Sequence, residues 1–242
     1  MLKQCDLILP VSHFTKEKMK LLYGLPEERF VVLNNCLDPF LEQPLQKEKS
    51  IGLLTRYGLT KAQHILLTVS RMSDSEQYKG YDKVLETLPG LIKIFQGLRY
   101  LIVGRYDLQE KLRLDKLIKK LGLEEVVVFT GFVGDDELAD HFNLADIFVM
   151  PSEKEGFGIV FIEAMFYGKP VIAGNRDGSV DALRNGELGL LVDPENKIEL
   201  MQAINKMLDN REAYLPDENR LKEHFSYGGY KERLREILKT PF

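Results

Sequence analysis

The chain is predicted to fold as a doubly wound α/β domain around a parallel sheet, and three observations lead there. Six short runs, Ile65 to Val69, Tyr100 to Val103, Val126 to Phe129, Ile147 to Met150, Val171 to Ala173 and Leu190 to Val192, are apolar on both faces. That is how strands buried on both sides read, as opposed to the alternation of a half-exposed strand. Helical stretches lie between them: Tyr81 to Phe95, Leu108 to Leu121, Asp135 to Phe142, Ile159 to Tyr167, Val180 to Arg184 and Lys197 to Leu208. Strict alternation of strand and helix implies βαβ units with right-handed crossovers.

The elements outside this regular region are read in chain order. Leu7-Ile8-Leu9 and Val11 make an apolar run that predicts a strand, and Ser12 or Thr15 is placed to cap a helix reaching Tyr23. Gly24 ends that helix, Pro26 prevents its resumption, and Val31-Val32-Leu33 predicts a second strand. From about Asp38 to Ser50 periodicity is lost and prolines enter, so this stretch reads as a linker. The tail from Asp217 to Leu238 is helical and strongly charged. Three regions follow: residues 1–48, an α/β domain over 49–216, and a helical tail over 217–242.

Composition narrows the function classes. Of 242 residues, 44% are hydrophobic and 29% charged, with a formal net charge of −4, an ordinary balance for a water-soluble domain. Nothing there favours nucleic acid or an anionic membrane surface. No apolar run reaches the roughly 18 residues of a membrane span, and the first residues do not read as a signal peptide. Cys5 and Cys36, the only thiols, are too few for a disulfide framework or a cysteine zinc site. The expectation is a cytoplasmic chain.

An open α/β sheet takes its ligand beyond the carboxyl ends of its strands, so the loops after the strands matter most. After Met150, Pro151-Ser152-Glu153-Lys154-Glu155-Gly156-Phe157-Gly158 runs straight into the helix that starts at Ile159. Two glycines at a helix mouth let backbone approach a ligand, and the first-turn N–H groups with the helix dipole favour an anion. Glu155 and Glu163 stand eight residues apart, so their carboxylates serve two ends of a ligand whose middle is phosphate. Gly156-x-Gly158-x-x-Phe161, followed by Asp177, resembles part of a dinucleotide fingerprint. Phe161 stands where the third glycine is needed, and the motif sits in the fourth strand–helix unit instead of the first, which argues against NAD. By itself the loop also reads as a glycine-rich turn with solvated glutamates.

Three further features favour a ligand. Ser70-Arg71 and Tyr78-Lys79-Gly80 follow the first strand of the regular domain and put two cations, both expected to be exposed, where a diphosphate would lie. Gly104 ends the second strand, and Gly131-Phe132-Val133 the third, so each is able to offer backbone to a flat ring or a ribose. His64 and His141 read as packing or surface residues, and His13 alone lies near a candidate cleft.

Together these residues resemble the donor-binding half of GT-B glycosyltransferases, specifically the large retaining family 4. The likeness runs from Cys5-Asp6 and Val11-Ser12 through Asn34-Asn35-Cys36-Leu37-Asp38, Arg71, Lys79-Gly80, Gly131, Pro151-Ser152, Glu155-Gly156-Phe157-Gly158 and Glu163-Ala164 to Gly168-Lys169-Pro170-Val171-Ile172-Ala173 and Gly186. The resemblance implies that Arg71 and Lys79 bind the diphosphate of a nucleotide-sugar, a UDP-sugar first and a GDP-sugar second, and steady the departing nucleoside diphosphate. It gives Glu155, counted with them as catalytic, to the sugar hydroxyls. Backbone of Gly156, Phe157, Gly158 and Ile159 stands beside that sugar, Glu163 meets the ribose, and Val133 and Gly104 line the base and ribose end. No Asp-x-Asp occurs, so no metal ion or other cofactor is expected.

The sequence departs from the family pattern where Cys36 replaces a hinge glycine and where Asp181 replaces a glutamate. The family also places an acceptor-binding domain before Asp6, so residues 1–48 read as its remnant plus linker. The expected partners are therefore a nucleotide-sugar donor, a saccharide or lipid-linked saccharide acceptor, and the absent acceptor domain, from the same gene or a second chain. Peripheral attachment to the inner membrane would come through that domain. The first hypothesis is a glycosyltransferase, here its donor-binding part; the second is a non-catalytic nucleotide-sugar-binding subunit that completes a partner chain.

Overall fold

The computed structural model describes residues 2–42 and 48–239, so residues 43–47 of the predicted linker and 240–242 of the predicted tail region lie outside the described residues. Six strands, β1 (Ile65–Val69), β2 (Arg99–Val103), β3 (Val127–Gly131), β4 (Ile147–Met150), β5 (Val171–Gly174) and β6 (Leu190–Val192), form one sheet in the order β3-β2-β1-β4-β5-β6. Every pairing is parallel. The doubly wound sheet expected from the sequence is therefore present, and its order reverses between β1 and β4.

The period of two sorts each strand's side chains onto opposite faces. Ile65, Leu67, Leu101, Val103, Phe148, Met150, Val171 and Ala173 join one core. Helices α2 (Ile51–Arg56), α5 (Asp135–Leu144), α6 (Ile159–Phe166) and α9 (Glu218–Phe225) cover that face through Leu53, Leu54, Phe142, Phe161, Ile162, Leu221 and Phe225. Leu66, Tyr100, Ile102, Ile147, Val149 and Ile172 point the other way, under α3 (Tyr81–Leu91), α4 (Leu108–Leu121) and α8 (Lys197–Asp209). A polar link runs inside this second layer: the Thr68 hydroxyl meets the Tyr100 hydroxyl at 2.7 Å and donates to the Val149 carbonyl, joining β2, β1 and β4.

Helix ends follow local rules. Asp107 accepts from the Glu110 N–H at 2.7 Å to start α4, and Asn196 from the Glu199 N–H at 3.1 Å to start α8. Gly122 closes α4 in the left-handed conformation that glycine adopts without strain.

Several predicted elements change. Leu7–Val11 and Val31–Leu33 are not regular strands; they touch through one parallel bridge, Ile8 to Phe30, with Leu33 N–H donating to Pro10 O at 3.0 Å. Pro10 lacks a donor, and among the described residues neither segment pairs with a second neighbour to extend a ladder. The helix after Tyr81 stops at Leu91, with Pro89 and Gly90 in its last turn. The stretch Val180 to Arg184 holds a shorter helix, α7 (Ser179–Ala182), followed by a 3₁₀ turn. Helix α2 had no periodic signal because it is too short to show one.

The tail divides at Ser226, whose extended backbone separates α9 from α10 (Tyr227–Lys239). Leu221 and Phe225 are buried, Phe225 packs edge-on to Phe157 with ring centroids 5.8 Å apart, and its carbonyl accepts from Leu37 N–H at 2.8 Å. The first half of the tail is thus core. By contrast, neither α1 (His13–Tyr23) nor α10 buries a residue. No described helix is long and apolar enough to cross a membrane.

Backbone packing at the carboxyl end of the sheet sets one test. A Cβ on Gly174 would lie 1.9 Å from the Ser152 carbonyl oxygen, whereas one on Gly52 in α2 meets only Ser50 Oγ at 3.8 Å. Gly174→Ala is expected to cost about 2 kcal/mol or more and to lower the melting temperature by about 4–8 °C. Gly52→Ala should gain up to about 1 kcal/mol. Equal melting temperatures for Gly174→Ala and the parent would refute the packing argument.

Candidate functional site

The site forms where β1 and β4 lie side by side and their following loops leave in opposite directions, which opens a crevice at the carboxyl edge of the sheet. Backbone contact ties those loops together: Glu153 N–H donates to Tyr78 O at 3.0 Å. Gly80, at φ 77°, lies so near that a Cβ there would be 2.4 Å from the Pro151 carbonyl oxygen. This approach brings the Lys79 ammonium onto Glu155 Oε1 in a direct ion pair. The two side chains are 15% and 13% exposed, so Lys79, expected at the surface, is largely buried. Burial pushes its pKa below the ordinary lysine value, while the charges of Glu76 and Asp177 oppose that shift.

Arg71 is exposed, as expected. It forks onto Glu76, Nε to Oε2 at 2.7 Å and Nη2 to Oε1 at 2.8 Å, and this pairing holds the Glu76 carboxyl below its usual range. Both cations assigned from the sequence therefore face the same loop region already partnered by carboxylates.

A buried carboxylate organises the Glu155 loop. Asp177 Oδ2 accepts from Glu155 N–H at 2.7 Å and from Ser152 Oγ at 2.8 Å, while Oδ1 accepts from Ser179 N–H at 2.9 Å. Asp177 is only 2% exposed, and desolvation raises its pKa against the opposing effect of these donors. Gly178 N–H returns a bond to Glu155 O at 2.9 Å, and a Cβ on Gly178 would fall 2.1 Å from Gly156 O. From the other side, Ser12 Oγ and Thr15 Oγ1 donate to Gly156 O at 2.5 and 3.0 Å. Sequence reasoning weighed Asp177 only as a dinucleotide acid and missed this role; its position just past β5 was the available signal.

Helix α6 then begins at Ile159 after Gly158, which has φ 83° and no capping side chain, and its first turn carries no acid. The positive end of the helix is thus uncompensated by side chains. Phe157 is 2% exposed and packs in the core, so only its backbone is available to a ligand. Ile159 is exposed, and the Phe161 ring fills the space a Cβ on Gly158 would need. One turn on, half-buried Glu163 has its pKa raised first by desolvation, then by the charges of Asp135 and Asp38. Val133, just before α5, packs partly on the core that α6 covers.

Other predicted positions fall elsewhere. Gly104, at φ 139°, packs so closely on Ser70 that a Cβ would be 2.0 Å from its carbonyl oxygen; its N–H donates to Gly131 O at 2.9 Å. Its lack of a side chain is thus used in joining the β1 and β2 loops. Asp181 accepts from His13 Nδ1 at 2.7 Å and from Asn34 Nδ2 at 3.3 Å, which docks the first forty residues on the domain. His141 is buried between the Tyr57 hydroxyl and the Glu137 carbonyl, a packing residue as read.

Glu163 yields a test with a defined sign. Its folded pKa lies above the unfolded one, so the stability it lends is full below the unfolded pKa and is lost as pH rises through the folded pKa. Glu163→Gln removes that loss. The variant is expected to melt above the parent at pH 7–8 and to approach it near pH 4, as measured by thermal unfolding across pH. A gap that widens toward low pH would contradict the assignment.

Comparison with known proteins places this geometry. The sequence profile described as Glycosyl transferases group 1 matches residues 55–231. A GDP-mannose-dependent alpha-(1-6)-phosphatidylinositol monomannoside mannosyltransferase of Mycobacterium tuberculosis is 32% identical over 216 residues, 86% of this chain and 54% of that protein. HepE of Anabaena, solved with UDP and glucose, superposes with a TM-score of 0.82 at 23% identity, covering 97% of this chain and 63% of that one. A glycosyltransferase from Rickettsia africae superposes at 0.80 with 25% identity, over 98% and 63%. The chain spans about half the length of the curated relatives it matches, 51% and 54% for two of them. With the expected GT-B-type sheet in place and the profile covering well over half its length, the chain belongs to the glycosyl transferases group 1 family.

Proposed function

We propose that the chain carries the donor-binding region of a glycosyltransferase that uses a nucleotide-sugar, retains configuration at the anomeric carbon and needs no metal ion. The observation that supports this most is the Lys79–Glu155 contact at the β1/β4 switch point, beside the open start of α6. There the diphosphate takes Glu155's place on Lys79 and draws Arg71 from Glu76. The released Glu155 turns to the hydroxyls of the donor sugar. Glu163 receives the ribose hydroxyls, and backbone near Val133 meets the base.

In the transfer, the bond between the anomeric carbon and the diphosphate oxygen breaks, and its electron pair stays with the nucleoside diphosphate. Arg71, Lys79 and the α6 dipole meet that developing negative charge, the kind of preorganised stabilisation that contributes most in catalysis. The acceptor hydroxyl, on a saccharide or lipid-linked saccharide, forms the new bond at the same carbon, on the face the diphosphate leaves, and gives its proton to the departing diphosphate oxygen. The acceptor's binding surface and exclusion of water require a second domain. This chain alone therefore binds donor weakly and transfers sugar poorly. Uracil is the base expected from the family resemblance; the mycobacterial relative's name favours guanine and GDP-mannose. A non-catalytic donor-binding subunit is the second reading, and addition of an acceptor-domain chain, with transfer as the readout, separates the two.

Calorimetric titration with UDP, UDP-glucose, GDP-mannose and NAD, with and without magnesium, tests the site. One nucleoside diphosphate sugar is expected to bind irrespective of magnesium, and Lys79→Ala or Arg71→Ala to weaken it by about tenfold or more. Glu155→Ala should abolish preference for the nucleotide-sugar over the bare nucleoside diphosphate. Binding of NAD alone, or a sugar preference untouched by Glu155→Ala, would reject the assignment.

A further inference from the structure

A second concentration of positive charge lies at the other end of the sheet. Asp146 immediately precedes β4 and Lys169 lies two residues before β5, so both stand at the amino ends of strands, opposite the crevice. With Lys49 and Arg211 they line a pocket of about 160 Å³. That is several times the roughly 30 Å³ that one water occupies in the liquid.

The charges there do not balance. Asp146, 8% exposed, is the carboxylate of the group, and both its oxygens are engaged. Oδ2 accepts from Lys49 Nζ at 2.9 Å and from Ile65 N–H at 2.8 Å; Oδ1 accepts from Arg211 Nη1 at 2.9 Å. Arg211 also reaches Glu212 at 3.4 Å, but that carboxylate is 75% exposed and contributes little in water. Among the described residues, Lys169 makes a long contact, 3.5 Å, to the Asn143 carbonyl and none to a carboxylate. Burial pushes its pKa down to about 8, with Lys49 and Arg211 adding to the shift and Asp146 opposing it. Among the described residues, three cations thus line a pocket with one carboxylate, saturated by two of them, in a chain whose net charge is −4.

A desolvated ammonium facing two other cations is costly unless an anion joins it. Lys49 and Arg211 are accounted for by Asp146, whereas no described carboxylate bonds Lys169. We propose that this pocket binds a small oxyanion, inorganic phosphate or the phosphate of a phosphate monoester, with Lys169 as its principal ligand and Arg211 and Lys49 at its flanks. The three cations come from separate segments, the entry to α2, the entry to β5 and the turn after α8. A bound oxyanion cross-links those segments at the base of the sheet without entering the donor crevice.

The test titrates the whole chain with sodium phosphate, against sodium chloride at equal ionic strength, by calorimetry. Four proteins are compared: the parent, Lys169→Met, Arg211→Gln and the crevice double variant Arg71→Ala/Lys79→Ala. Phosphate is expected to bind the parent and the crevice variant alike, Lys169→Met at least about tenfold more weakly, and Arg211→Gln several-fold more weakly. Lys169→Met removes a desolvated charge and keeps an aliphatic stem, so its melting temperature in chloride should not fall. Glucose 1-phosphate displacing phosphate from the crevice variant assigns the site to a monoester; failure to displace it assigns free phosphate. The proposal is overturned if phosphate does not bind beyond the chloride control, if Lys169→Met binds it as the parent does, or if binding disappears in the crevice variant.

Discussion

The close approach of the loops that leave β1 and β4 is the constraint on which the site depends. Parallel neighbours at a switch point send their chains apart, and the gap remains usable only if the backbones can touch at its base. Gly80 makes that possible by lying against the Pro151 carbonyl, and two glycines at and after the end of β5, Gly174 against Ser152 and Gly178 against Gly156, seat the β5 loop on the same β4 loop. At each, one methyl group would occupy space already filled by a carbonyl oxygen. Asp177 then fixes the loop from within, its two oxygens gathering donors from Ser152, Glu155 and Ser179. The Lys79–Glu155 contact follows from this backbone arrangement and does not create it.

The crevice is electrostatically expensive in a way that an ordinary core is not. Lys79 is desolvated, Glu163 and Asp177 are carboxyl groups with raised pKa, and the start of α6 has no acidic side chain to offset its dipole. Stability alone would replace such groups with apolar or neutral ones. Their arrangement instead pairs each cation with a carboxylate, Lys79 with Glu155 and Arg71 with Glu76. The pocket around Lys169 shows the opposite state: among the described residues Lys49 and Arg211 hold its one carboxylate, and the desolvated Lys169 is bonded to none.

The two ends of the chain differ in how they attach. The segment before residue 40 is held by polar contacts, Ser12 and Thr15 to Gly156, His13 and Asn34 to Asp181 and Leu37 N–H to Phe225 O, and by packing of Leu37 and Val11 on the core. Helix α9 is held by apolar burial of Leu221 and Phe225 against the core that includes Phe157. The charged tail read from the sequence as helical is two helices, the first of which buries Leu221 and Phe225 in the core while the second buries no residue.

What the sequence by itself determined are the properties carried by local pattern. Six doubly apolar runs with helices between them specify a parallel sheet, since only such a sheet buries both faces of so many short strands. The loop from Pro151 to Gly158, together with Lys79, Arg71 and Glu163, was legible because ligand loops must follow strand ends and because glycine marks close backbone approach. Tertiary structure alone decided the burial of Lys79, the organising role of Asp177 and the use of Gly104 in loop packing. It also decided the weakness of the first two predicted strands and the gathering of Lys49, Lys169 and Arg211. Each of these depends on contacts between segments far apart in the chain, and a side chain's charge, spacing or periodicity carries no information about which distant carbonyl or carboxylate it will meet.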